Sequence, residues 1–74
     1  MRAYNYVIIL EKEEDGGYHA FCPSLPGCHT QGNTYEEAVK NIQDAIKLYI
    51  ESMKAHREEI FAEDITIKPI QVTV

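Results

Sequence analysis

Basic residues are scarce in this 74-residue chain, which carries 7 Lys+Arg against 12 Asp+Glu and a formal charge of −5 at pH 7 with histidines neutral. Such a surface offers nothing to phosphate backbones, and nucleic-acid modules normally present a basic stripe, so no direct nucleic-acid binding is expected. There is no tryptophan, and without a basic stripe the five tyrosines are read as core or interface residues, not as base-stacking platforms. Cysteine is scarcer still. Two cysteines exclude the disulfide framework of small secreted domains and leave one bridge at most, which a reducing compartment disfavours. No run approaches the roughly 20 apolar residues of a membrane helix, and the opening Met1-Arg2-Ala3-Tyr4-Asn5 lacks a basic lead into a secretion-type apolar core. The expectation is a cytoplasmic protein with no membrane association.

What is present is globular in composition. Hydrophobic residues make up 45% and charged residues 26%, with no low-complexity segment or internal repeat, so residues 1–74 read as one domain. A monomer of this size hides only about 60% of the surface its unfolded chain exposes. Self-association, as a dimer or tetramer, is the physical expectation.

Alternation from Arg2 to Lys12 predicts a first strand, with Tyr4, Tyr6, Ile8 and Leu10 on one face and Asn5, Val7, Ile9 and Glu11 on the other. Glu13-Glu14-Asp15-Gly16-Gly17 then supplies a hairpin turn, and Tyr18 to Cys22 resumes alternation as an antiparallel partner. Pro23-Ser24-Leu25-Pro26-Gly27 removes two backbone donors and breaks the strand, after which Cys28 to Gln31 re-enters the sheet. Thr34-Tyr35-Glu36-Glu37 has capping-box spacing: the Thr34 hydroxyl accepts from the Glu37 amide, and the Glu37 carboxylate reaches back to the Thr34 amide. Ala38, Val39, Ile42, Ala45, Ile46, Tyr49, Ile50 and Met53 follow at helical spacing, predicting a helix that ends between Lys54 and Glu59. Tyr35 and Tyr49 fall near its buried side. Beyond Pro69, Ile70 to Val74 reads as a final edge strand.

The predicted fold is α+β, in the order β-β-β-α-β: three antiparallel strands, one long helix packed on one sheet face, and a C-terminal strand. One helix leaves the other face bare. Val7 and Ile9 on that face, with Ile70, Val72 and Val74 on the terminal edge, are the candidate interface residues. Burying each large side chain is worth about 1.5–3 kcal/mol over leaving it in water.

The segment from Tyr18 to Ala38 resembles the signature of the HicB-like antitoxins. A strand leads through Pro23, Leu25, Pro26 and Gly27, then Cys28, Thr30 and Gly32, into a helix opened by Thr34, Glu37 and Ala38. The resemblance implies a partial ribonuclease-H-like fold whose task is to bind and silence a small basic HicA-type toxin that cleaves mRNA. Many relatives add a C-terminal DNA-binding segment, and the resemblance here is to a short form without one. An acidic inhibitor suits a basic toxin, because complementary charge speeds encounter and selects the partner. The runner-up reading is a stand-alone homo-oligomeric module of the same fold, structural or binding a small ligand.

Other chemistry fares worse. His19, Cys22, Cys28 and His29 are the one group with zinc-ligand chemistry, but Cys28 and His29 are adjacent in a strand and face opposite sides, as do His19 and Cys22. No metal or other cofactor is expected. A cysteine nucleophile lacks oxyanion donors, and of the acids only Glu11 sits on the first strand, so no paired carboxylates suggest a two-metal nuclease. The protein is not expected to be an enzyme.

Overall fold

A computed structural model describes residues 4–60 and 63–74. Three strands, β1 (Ile9–Lys12), β2 (Tyr18–Phe21) and β3 (His29–Gly32), precede one long helix, α1 (Tyr35–Ala55). The strands form a single antiparallel sheet in the order β1-β2-β3, pairing Leu10 with Ala20 and Ala20 with Thr30. This is the predicted architecture of three antiparallel strands and a long helix.

The first strand is shorter than the alternation from Arg2 suggested. Arg2 lies outside the described residues, and Tyr4 to Ile8 precedes the ladder. Because Ile9 pairs with Phe21, Val7 would face Pro23, which has no amide hydrogen and starts the turn that carries the chain away. The turn closes tightly on itself: the Leu25 amide donates to the Cys22 carbonyl at 3.1 Å, the Cys28 amide to the Leu25 carbonyl at 3.0 Å, and the Cys22 amide to the Cys28 carbonyl at 3.0 Å. Gly27 takes φ 80°, a conformation that strains any side-chain-bearing residue.

Helix α1 begins where the cap spacing placed it. The Glu37 amide donates to Thr34 Oγ1 at 3.1 Å, while Glu37 Oε1 accepts from the Asn33 amide at 3.0 Å and not from Thr34 as the capping box had it. The carboxylate thus reaches one residue further, to an amide that has just left β3. At the other end, the Glu58 amide donates to the Met53 carbonyl at 2.8 Å and the Arg57 amide to the Lys54 carbonyl at 3.1 Å. That bonding pattern closes the helix with its turning residue in the left-handed region, here Arg57 at φ 56°.

The core lies between α1 and one sheet face. Ala20, Cys22, Leu25, Cys28, Ala38 and Ile42 are buried, with Tyr6, Ile8, Leu10, Tyr18, Ala45, Ile46, Tyr49 and Met53 packed around them. Small residues let helix and sheet approach. A Cβ added at Gly32 would fall 2.8 Å from the Ala38 Cα. Tyr35 stands outside this core, half exposed, with its ring edge-on to Tyr18 at 5.9 Å, because it occupies the helix's first turn beside the sheet margin.

The final strand expected at Ile70–Val74 joins no ladder among the described residues. Residues 64–74 are exposed throughout, Ile70 to 77% and Val72 to 71%. β-Branched alternation makes a segment fit for a sheet, but a strand exists only against a partner. The radius of gyration, 14.3 Å, exceeds the about 11 Å of a compact domain this long, and the longest extent of 47 Å exceeds the about 31 Å of α1 itself. The terminal segment is an arm.

Candidate interaction surfaces

Residues directly opposite each other in an antiparallel sheet share a face, and the register sorts every candidate residue. Ile8, Leu10, Tyr18, Ala20, Cys22, Cys28, Thr30 and Gly32 lie on the helix side. Ile9, Glu11, His19, Phe21, His29 and Gln31 lie on the side that α1 leaves bare, and Val7 continues that row.

The four residues with ligand chemistry are therefore divided by the sheet. His19 and His29 come together on the bare face with ring centroids 5.5 Å apart, while Cys22 and Cys28 are buried, unbridged, on the other. His19 also stacks on Phe21 at 5.8 Å, and its Nδ1 lies 3.9 Å from a Glu11 carboxylate oxygen. Among the described residues no three His, Cys, Asp or Glu side chains gather as a metal site requires. Burial pushes both thiols above their ordinary value, with the Cys22 charge raising Cys28 further, so they remain protonated and poor nucleophiles near neutral pH.

The sequence signature from Pro23 to Ala38 is mostly structural. Leu25, Cys28 and Ala38 are buried, Gly32 admits the helix, and Thr34 and Glu37 bond its first turn. Pro26, Gly27 and the cap residues Thr34 and Glu37 are exposed, Pro23 and Thr30 half-buried. Pro23, Leu25, Pro26 and Gly27, with His19, Phe21 and His29, outline a shallow apolar depression at one end of the bare face.

Acidic groups collect at the opposite end of the sheet. Glu13 and Asp15 from the hairpin and Glu37 from the helix start line one depression, about 200 Å³ in volume, with Gln31 and Asn33 between them. The Asp15 carboxylate accepts from the Gly17 amide at 3.0 Å, a bond within the turn that fixes the shape of the hairpin. Sequence reasoning identified these acids separately. Only the fold brings the two groups side by side.

Glu63 gave no local signal at all. Its carboxylate accepts from the Val7 amide at 2.7 and 2.8 Å through its two oxygens, and from Ser24 Oγ at 3.0 Å. It fills the place that a continuation of β2 would have occupied beside Val7. On the other side of β1, a groove of about 580 Å³ runs between residues 4–8 and α1. Tyr6, Ile8, Ile46 and Ile50 give it an apolar floor, and Lys47 and Lys54 stand at its rim. Among the described residues no helix is long and apolar enough to cross a membrane.

Comparison with known proteins places this arrangement among relatives. Residues 6–71 match the family described as "HicB_like antitoxin of bacterial toxin-antitoxin system". The chain is 58% identical to the UPF0150 protein ssr1765 of Synechocystis sp. over 71 residues, spanning 96% of this chain and 90% of that one. It is 52% identical to the UPF0150 protein Ta0767 of Thermoplasma acidophilum over 65 residues, 84% of this chain and 94% of that one. Among solved structures, the N-terminal domain of the Burkholderia pseudomallei antitoxin HicB superposes with a TM-score of 0.73 at 29% identity, over 80% of this chain and 69% of that one.

Proposed function

The chain belongs to the HicB-like antitoxin family of bacterial toxin–antitoxin systems, and from that membership we propose that it binds and neutralises a small, basic, HicA-type toxin in the cytoplasm. The observation that carries the reading is the family match over residues 6–71, together with a net charge of −5 and the gathering of Glu13, Asp15 and Glu37 at one end of the sheet. Inhibition is steric and electrostatic. Glu13, Asp15 and Glu37 draw a basic partner in, since complementary potentials raise encounter rates and suppress wrong partners. The bare face, with Ile9 and Phe21, then supplies apolar contact that excludes water from the covered surface. No step in this mechanism breaks a covalent bond, and no residue acts as a catalyst. The working form is a homo-oligomer of a single HicB-like domain.

Co-expression tests it. A neighbouring gene that encodes a small basic protein should arrest growth when expressed alone, and growth should return when this chain is supplied. The triple variant Glu13→Lys, Asp15→Lys, Glu37→Gln should slow toxin association by about tenfold at low salt and by less at high salt. Failure of rescue, with no complex formed between the purified proteins, rejects the reading.

A further inference from the structure

We propose that residues 65–74 of one copy lie along the open edge of β1 in a second copy, seating Ile70, Val72 and Val74 in the groove between residues 4–8 and α1. The inference rests on the homo-oligomer proposed above and is independent of any toxin.

The register defines the edge. The Glu13 amide donates to the Gly17 carbonyl across the hairpin at 2.7 Å, so the backbone groups of Glu13, Glu11 and Ile9 point toward β2. Those of Ile8, Leu10 and Lys12 point the other way, along a strand that ends the sheet. An outward row of donors and acceptors is a template for one more strand. The groove floor of Tyr6, Ile8, Ile46 and Ile50 lies directly beneath it.

The arm has the matching form. Ile70, Val72 and Val74 recur at strand period and are 77%, 71% and 118% exposed, which is an unfavourable state for three branched apolar side chains. Pro69 has no amide hydrogen, a property tolerated where a strand's donors face solvent, as they do on the outer side of an edge strand. Residues 65–74 span about 33 Å when extended, enough to run the length of the β1 edge and its approach.

The chain's own groove is the wrong target for its own arm. Glu63 is held by Val7 and Ser24 on the β2 side of β1, whereas the open edge lies on the other side. Reaching it would require the arm to cross its own strand. A second copy has no such obstacle. Every copy carries one arm and one groove, so a reciprocal exchange closes on itself by two-fold symmetry and leaves neither exposed.

Native mass spectrometry of the purified full chain, with amide hydrogen exchange followed by NMR, tests the proposal. The wild type should be a dimer or a multiple of one, with the Ile8, Leu10 and Lys12 amides protected. The double variant Ile70→Asp, Val72→Asp should weaken self-association by about a hundred-fold or more. It should also expose those three amides while keeping the helical circular dichroism signal. Val72→Pro, which stays apolar but loses a ladder donor, should act in the same direction. A monomeric wild type overturns both self-association and the exchange, whatever the toxin experiment shows. An oligomer that survives both variants, or whose three amides exchange freely, overturns the exchange alone. Protection of the three amides in a monomer shows the arm on its own chain and also overturns it.

Discussion

Replacing Gly32 with alanine should move helix α1, and the structure says by what route. The new Cβ would fall 2.8 Å from the Ala38 Cα and 2.9 Å from the Glu37 carbonyl carbon, and nearer still to the Ala38 nitrogen. These are backbone atoms of the helix's first turns, so no rotamer change relieves the overlap. The helix start must lift from β3, and it carries the completely buried Ala38 and Ile42 with it. Overpacking typically costs about 1–3 kcal/mol, and a backbone obstacle belongs at the upper end. A chain of this length has a total stability of about 4–11 kcal/mol, so the loss is a large fraction. At about 4–8 °C per kcal/mol, the melting temperature should fall by about 10–20 °C.

The assay is thermal melting by far-ultraviolet circular dichroism at one fixed protein concentration, because the midpoint of a protein that self-associates depends on concentration. Gly27→Ala is the internal control. Gly27 has φ 80° but no atom within 4 Å of an added Cβ, so alanine there meets only backbone strain, about 1 kcal/mol. Gly32→Ala must therefore be the more damaging of the two. A Gly32→Ala melt within about 2 °C of wild type, or a reversed order, would refute the close seating of α1 on β3.

Three further outcomes follow from other parts of the chain. Arg57→Gly relieves the left-handed conformation at φ 56° and should raise the melting temperature by a few degrees, about 0.5–1 kcal/mol after glycine's greater unfolded-state freedom is subtracted; no change would mean the turn is not formed. Glu63→Ala deprives the half-buried Val7 amide of its acceptor and should cost about 1–3 kcal/mol, measurable by urea unfolding, whereas an unaltered midpoint would place Glu63 in solvent. Burial raises the thiols of Cys22 and Cys28 above 9.0 and the Tyr6 phenol above 10.0, so the folded chain keeps those protons to higher pH than the unfolded chain does. Stability should be intact below about pH 9 and decline as pH rises through the folded values. The double variant Cys22→Ala, Cys28→Ala should flatten the first part of that decline.

Local periodicity carried much of the fold. Tyr18 to Phe21 alternates because its two faces meet different surroundings, and Ile42, Ile46, Ile50 and Met53 recur because one side of α1 meets the sheet. Thr34 and Gly27 announce a cap and a turn through chemistry confined to a few neighbouring residues. What was not legible depends on where the chain goes next. Tyr4 to Ile8 alternates as well as any strand, yet the residue that should pair with Val7 is Pro23. Glu63 contacts Val7 across a separation of 56 residues, and no spacing rule reaches that far. The acids of the hairpin and of the helix start read locally as parts of a turn and of a capping box, and their gathering required the sheet to be built first.

The distribution of apolar residues gives such a domain a physical reason to associate. Among the described residues Ile42 is the one large side chain that is fully buried, because Ala20, Ala38 and two cysteines occupy the places where α1 meets the sheet. That close approach leaves little interior to fill, and Ile67, Ile70, Val72 and Val74 remain outside it. Burying any one of them against another chain contributes about 1.5–3 kcal/mol, comparable with a sizeable part of the domain's own stability. The two available surfaces do not compete. The groove beside β1 lies under the helix side of the sheet, whereas Ile9, Phe21 and the imidazoles occupy the opposite face. An assembly joined through the arms would therefore still present its bare faces and acidic ends, which leaves those surfaces open to the proposed toxin contact.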